Sequence, residues 1–103
     1  MPRNRRLDPL RHPLRGETLV DVTNRLKTAR GHIDHVLAQV EDEKYVIDIL
    51  RQLAAVRGAL DAVSRVLLQY YFEHAFVNAV AAGKSKIAIE EMMRALTFLR
   101  QLD

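Results

Sequence analysis

The chain has 103 residues, 49% of them hydrophobic, a formal net charge of +3 and no cysteine. That length bounds one domain with room for a tail, and the missing cysteine excludes disulfides, thiolate metal sites and thiol chemistry. The longest run without a charged side chain, His74 to Gly83, is too short to span a bilayer. MPRNRRLDPL lacks the apolar core of a secretory signal, so a cytoplasmic protein with no membrane partner is expected.

In chain order, residues 1–15 come first, as a basic arm. They hold all three prolines, Pro2, Pro9 and Pro13. Five arginines stand there against Asp8, a net +4; set against the total of +3, this leaves −1 for the remaining 88 residues. A flexible basic arm suits nucleic acid or another polyanion. It suits a solvated terminus with no partner equally well.

Residues 16–103 read as a single helical domain, with helices at about 18–40, 43–82 and 85–101. Thr18 and Asp21 form a candidate capping pair for the first. Val22, Leu26, Ala29, Ile33, Val36 and Val40 then repeat at steps of three and four, while Arg25, Lys27 and Arg30 mark a polar side. The tight link Glu41 to Lys44 supplies acids suited to the positive end of the next helix.

The second helix organises the chain. Val46, Ile49, Leu53, Val56, Leu60, Val63 and Leu67 form its seam, and Leu50, Ala54, Ala59, Val66 and Leu68 make it apolar off that seam as well. A helix of roughly 38 residues is about 57 Å long, against a radius of gyration of about 13 Å for a compact chain of this size. Its apolar length outruns any globule its own chain can wrap around it, which predicts a homo-oligomer sharing one core. Gly31 and Gly58, costly inside helices, predict close approach of another helix. Gly83 reads as the stop of the second helix and Ser85 as the cap of the third, whose apolar face is Ile87, Ala88, Met92, Ala95, Leu96 and Leu99. No strand pattern competes.

Catalysis finds little support. Ser64 and Ser85 have no histidine at helical spacing, and no phosphate loop or nucleophile elbow is present. Asp48 and Asp61 lie among arginines and read as solvated or paired. His32 and His35 sit one turn apart, and His74 lies beside Glu73; such groups could hold zinc or nickel if facing helices met. Surface histidines on a polar face are the plainer reading. Tyr70, Tyr71, Phe72 and Phe76 read as core and interface packing.

RLKTARGHIDHVLAQVEDEKYVIDILRQLAAVRGALDAVSRVLL, from Arg25 to Leu68, resembles the CsoR/RcnR family of metal-sensing transcriptional repressors. The likeness continues through AFVNAV and AAGKSKIAIEEMMRAL to Leu96 and leaves out the arm. It implies an all-α, three-helix protomer. Two chains would pair as an antiparallel four-helix-bundle dimer, and two dimers would form a disc-shaped tetramer. It also implies a double-stranded DNA operator, contacted here by Arg25, Lys27, Arg30 and Arg65 and, in the arm, by Arg3, Arg5 and Arg6.

The departure from the family is chemical. Its copper-binding members use a cysteine, a histidine and a cysteine where this chain has Val46, Tyr71 and Ala75. Cu(I) needs soft donors, so neither Cu(I) nor any other cofactor is expected, and the persulfide and formaldehyde sensing of cysteine-bearing relatives is lost too. Tyr45 and Glu91, matching positions that link the family's metal site to DNA affinity, remain. Three readings follow: a repressor with a different inducer near Tyr45, Tyr71, His74 and Glu91; a member with no inducer; or a site for a harder ion such as zinc or nickel using His35, His74 and nearby carboxylates. A helical interaction protein that keeps the tetramer but has left DNA is the alternative from another class.

Overall fold

The computed structural model describes residues 13–100. Arg3, Arg5 and Arg6 lie outside them. Among the described residues every regular element is helical: α1 (Gly16–Glu41), α2 (Val46–Tyr71), a π-helical turn (Phe72–Phe76), α3 (Val77–Ala81) and α4 (Ser85–Arg100). Three helical runs are therefore present, the second divided by the π-turn. The chain forms two compact units, one of residues 15–66 and one of residues 67–100 with Pro13 and Leu14. The boundary falls inside α2.

In the first unit α1 and α2 make an antiparallel hairpin. Val22, Ala29 and Val36 are buried at seven-residue steps on α1, and Val56 and Val63 at the same step on α2. This is the spacing of helices packed side by side along a narrow seam. His32 Nε2 meets Gln52 Oε1 at 2.8 Å, tying the two helices in the half of the hairpin nearer the turn. The seam holds only small and β-branched residues. Beside it Leu26, Ile33 and Leu37 on α1 and Leu53 and Leu60 on α2 stay between 40 and 55% exposed. By helical phase, about 100° per residue, both sets fall on the same side of the hairpin. The hairpin thus carries a continuous uncovered apolar side.

The turn between the helices differs from its reading in sequence. Glu43 has φ +56, Lys44 N–H donates to Gln39 O at 3.0 Å, and Glu43 N–H donates to Val40 O at 3.1 Å. This is a Schellman stop with glutamate where glycine is usual. The acid in the first turn of α2 is Asp48, paired with Arg51 at 3.3 Å. Gly83 closes α3 in the same way: φ is +78, with bonds from Gly83 N–H to Val80 O and from Lys84 N–H to Ala79 O.

The helix starts also shift. α1 begins at Gly16 after an extended Arg15, without a side-chain cap; Asp21 takes a 2.9 Å bond from Arg25 Nε instead of capping with Thr18. Ser85 is the first helical residue of α4 and not a residue before it. A Cβ at Gly31 or Gly58 would meet nothing within 4 Å, so the close helix approach they predict is not made among the described residues.

In the second unit Ala75, Ala79 and Ala88 form the centre, at 3%, 0% and 0% exposure. Alanines let the π-turn, α3 and α4 come close together. The π-turn is the one element that periodicity missed. Steps of three and four from Val63 lead to positions 67, 70 and 74, whereas the buried residues are Ala75 and Ala79. A one-residue phase slip is what an i→i+5 turn inserts.

Candidate effector site and basic surfaces

The π-turn gathers the polar and aromatic chemistry of the second unit. Tyr71, Phe72 and Phe76 touch edge to face, with centroids 5.8 Å (Tyr71–Phe72), 6.3 Å (Tyr71–Phe76) and 5.5 Å (Phe72–Phe76) apart. Such contacts favour these tilted arrangements because ring edges are positive and faces negative. The cluster fixes the Tyr71 ring so that its hydroxyl reaches α4, donating to the Ala88 carbonyl at 3.3 Å. Burial, and then the neighbouring Glu91 carboxylate, push the Tyr71 phenol above its ordinary value. The phenol keeps its proton through neutral pH and acts as a donor.

His74 lies within the π-turn, half-buried, its ring 4.2 Å from that of Tyr70. Glu73 accepts a bond from Gln69 Nε2 at 3.3 Å on the outer side. Tyr71, His74 and Glu91, singled out in sequence, thus belong to one compact unit. Tyr45 and His35 belong to the other. Tyr45 immediately precedes α2: its carbonyl receives Asp48 N–H at 3.0 Å while its side chain stays exposed. His35 is exposed on α1. Ala88 was read in sequence as apolar packing and not as a site residue, since its role here is played by a backbone carbonyl that any residue supplies. Tyr70 could have been found from its i, i+4 spacing to His74.

The positions that the family resemblance assigns to metal ligation offer no matching donors. Val46 is the first residue of α2 and exposed, Ala75 is buried in the π-turn, and the Tyr71 hydroxyl is already engaged on α4. A thiolate Cu(I) site does not fit these residues. Among the described residues no group of three or more histidine, cysteine, aspartate or glutamate side chains could hold a metal.

The basic residues are exposed but scattered. Arg25 is paired with Asp21 and half exposed. Lys27 and Arg30 are exposed on α1 and Arg65 on α2. At about 100° per residue, Lys27 lies about 200° and Arg30 about 140° round the helix from Arg25. These three do not share a face of α1.

An all-α protomer with an uncovered apolar side and a tyrosine–histidine–glutamate group at a π-turn is the class that fold and site define. A family model described as metal-sensitive transcriptional repressor matches residues 19–97, and the chain belongs to that family. The family is one of repressors, not enzymes. The copper-sensing transcriptional repressor CsoR of Mycobacterium ulcerans is 41% identical over 75 residues, 73% of this chain and 64% of that protein. The protein of the same name from Bacillus subtilis is 35% identical over 72 residues, 70% of this chain and 71% of its own length. This chain therefore spans a little under two thirds of the mycobacterial relative. The crystal structure of copper-sensing CsoR with Cu(I) from Geobacillus thermodenitrificans superposes with a TM-score of 0.81 at 30% identity, covering 86% of this chain and 93% of that one. The nickel-responsive regulator InrS superposes at 0.72 and 34% identity, covering 85% and 99%.

Proposed function

We propose that this protein is a cytoplasmic, DNA-binding transcriptional repressor that works as a homodimer or homotetramer and answers to an effector other than Cu(I). The observation that carries the reading is the Tyr71 hydroxyl bonded to α4. Where the family resemblance implies a metal-binding histidine, this chain has a neutral donor engaged inside the protein. An effector that competes for Tyr71, His74 or Glu91 would loosen α4 from the π-turn. Tyr45 and His35 would be contributed by a second copy of the chain. Operator contacts by Arg25, Lys27, Arg30, Arg65 and the arm would be mostly with phosphates, and so strongly salt-dependent.

The scatter of Arg25, Lys27 and Arg30 round α1 favours a second reading, an interaction protein that keeps the assembly without DNA. One experiment separates the two. Fluorescence anisotropy with duplexes from the gene's own upstream region, across a salt series, should show one preferred duplex with log K falling linearly in log salt. Additions of Cu(I), Zn(II) and Ni(II) should leave the affinity unchanged. No preferred duplex would overturn the repressor reading; release by zinc or nickel would overturn the metal-free effector.

A further inference from the structure

Among the described residues, the root of the basic arm is bonded to the helical body. Tyr70 Oη donates to the Pro13 carbonyl oxygen at 3.0 Å. The Tyr70 ring is itself held by His74, centroids 4.2 Å apart and planes tilted 40°. The two residues are four apart, so the histidine of the π-turn lies over the tyrosine that fixes the arm's point of departure. The next residue, Tyr71, reaches Ala88 on α4. Consecutive tyrosines, about 100° apart round the helix, thus tie one helical end to two different segments, the arm root and α4.

We infer that Tyr70 is a positioning residue for the N-terminal arm, and that its hydroxyl sets where the arm's arginines begin their reach. The inference rests on the reading that the arm contacts DNA. Arg3 lies ten residues before Pro13. Fully extended, a stretch of that length reaches at most about 35 Å. A bonded root gives that reach a fixed origin and reduces the entropy lost when the arginines settle on phosphates. The hydroxyl, not the ring, makes the bond to Pro13, so Tyr70→Phe removes the anchor and keeps the stack on His74.

The test uses the full chain in four forms: native, Tyr70→Phe, the arm-neutral triple variant Arg3→Gln, Arg5→Gln and Arg6→Gln, and the combination. Anisotropy on the preferred duplex should show Tyr70→Phe weakening binding about threefold with the arm intact, the low end of one net hydrogen bond. In the arm-neutral chain the same change should do nothing. Trypsin cleavage after Arg11 and Arg15 should speed up about threefold in Tyr70→Phe while thermal unfolding of the helices stays put. Equal loss of affinity in both backgrounds, or an unchanged cleavage rate, overturns the anchor. A chain that binds no duplex defeats the DNA reading instead, and the cleavage rate then decides the anchor by itself.

Discussion

Leu60→Glu tests whether the uncovered side of the hairpin is closed by a second copy of the chain. Full burial of a leucine or isoleucine side chain is worth about 1.5–3 kcal/mol. Leu26, Ile33, Leu37, Leu53 and Leu60 retain 45, 48, 55, 46 and 40% exposure, so each has about 0.7–1.4 kcal/mol left to gain. Five residues on each of two copies amount to about 7–14 kcal/mol, against an association cost of about 4–15 kcal/mol. The balance is thin, and one carboxylate should tip it. Leu60→Glu forfeits the gain at that position on both copies and brings an ion against apolar surface, where an unpaired charge costs several kcal/mol. The expected result is at least about a 100-fold rise in the dimer Kd. Sedimentation velocity over a concentration series reads that shift, and far-UV circular dichroism checks that the helices persist. A native protein that stays monomeric throughout, or a variant with native mass at every concentration, would refute the reasoning.

Other perturbations bear on the site and on the helix ends. Tyr71→Phe should cost about 0.5–1.5 kcal/mol in urea unfolding, the value of one net hydrogen bond. The same variant should flatten the alkaline limb of stability. The Tyr71 phenol is raised above its unfolded value, near 10, so the folded chain keeps a proton that the unfolded chain releases. That contribution is complete below about pH 10 and is lost as pH rises through the folded value. Glu43→Gly should raise the melting temperature by about 3–6 °C. It relieves roughly 1–2 kcal/mol of left-handed strain and gives back part through the looser unfolded chain. Gly83→Ala should do the reverse by about 1 kcal/mol, because φ is +78 although a Cβ would meet nothing. Cu(I) added at constant protein concentration should leave the melting temperature within about 1 °C, since a bound ion would raise it by mass action.

The helices were legible in the sequence because their apolar steps are regular: Val22, Ala29, Val36, Val56 and Val63 are all buried, and all lie on the repeats read from spacing. Gly83 was legible because only a residue without Cβ adopts its φ at no cost. Glu43 was not, because the hydrogen bonds of its stop are made by backbone atoms and leave no mark in residue type. The π-turn left only a phase slip between Val63 and Ala75, easily absorbed into a helix apolar on several sides. The candidate site was legible in part: Tyr71, His74 and Glu91 fall in one unit, while Tyr45 and His35 fall in the other. The Ala88 carbonyl and the Pro13 carbonyl could not be named beforehand, since any amino acid offers the same acceptor.

The π-turn gives this helix one residue of slack. Moving that slack by a single position re-registers the residue it passes, turning its side chain by about 100° while the flanking turns keep their bonds. A helix built in this way can change which side chain it presents at Tyr71 to Phe76 without bending or melting. The same slack makes this stretch the place where losing one residue is best absorbed, because the shortened helix relaxes to an ordinary α-helical turn. Length variation of one residue within this helix should therefore collect at Phe72–Phe76 and be excluded from the seam between Val46 and Val63.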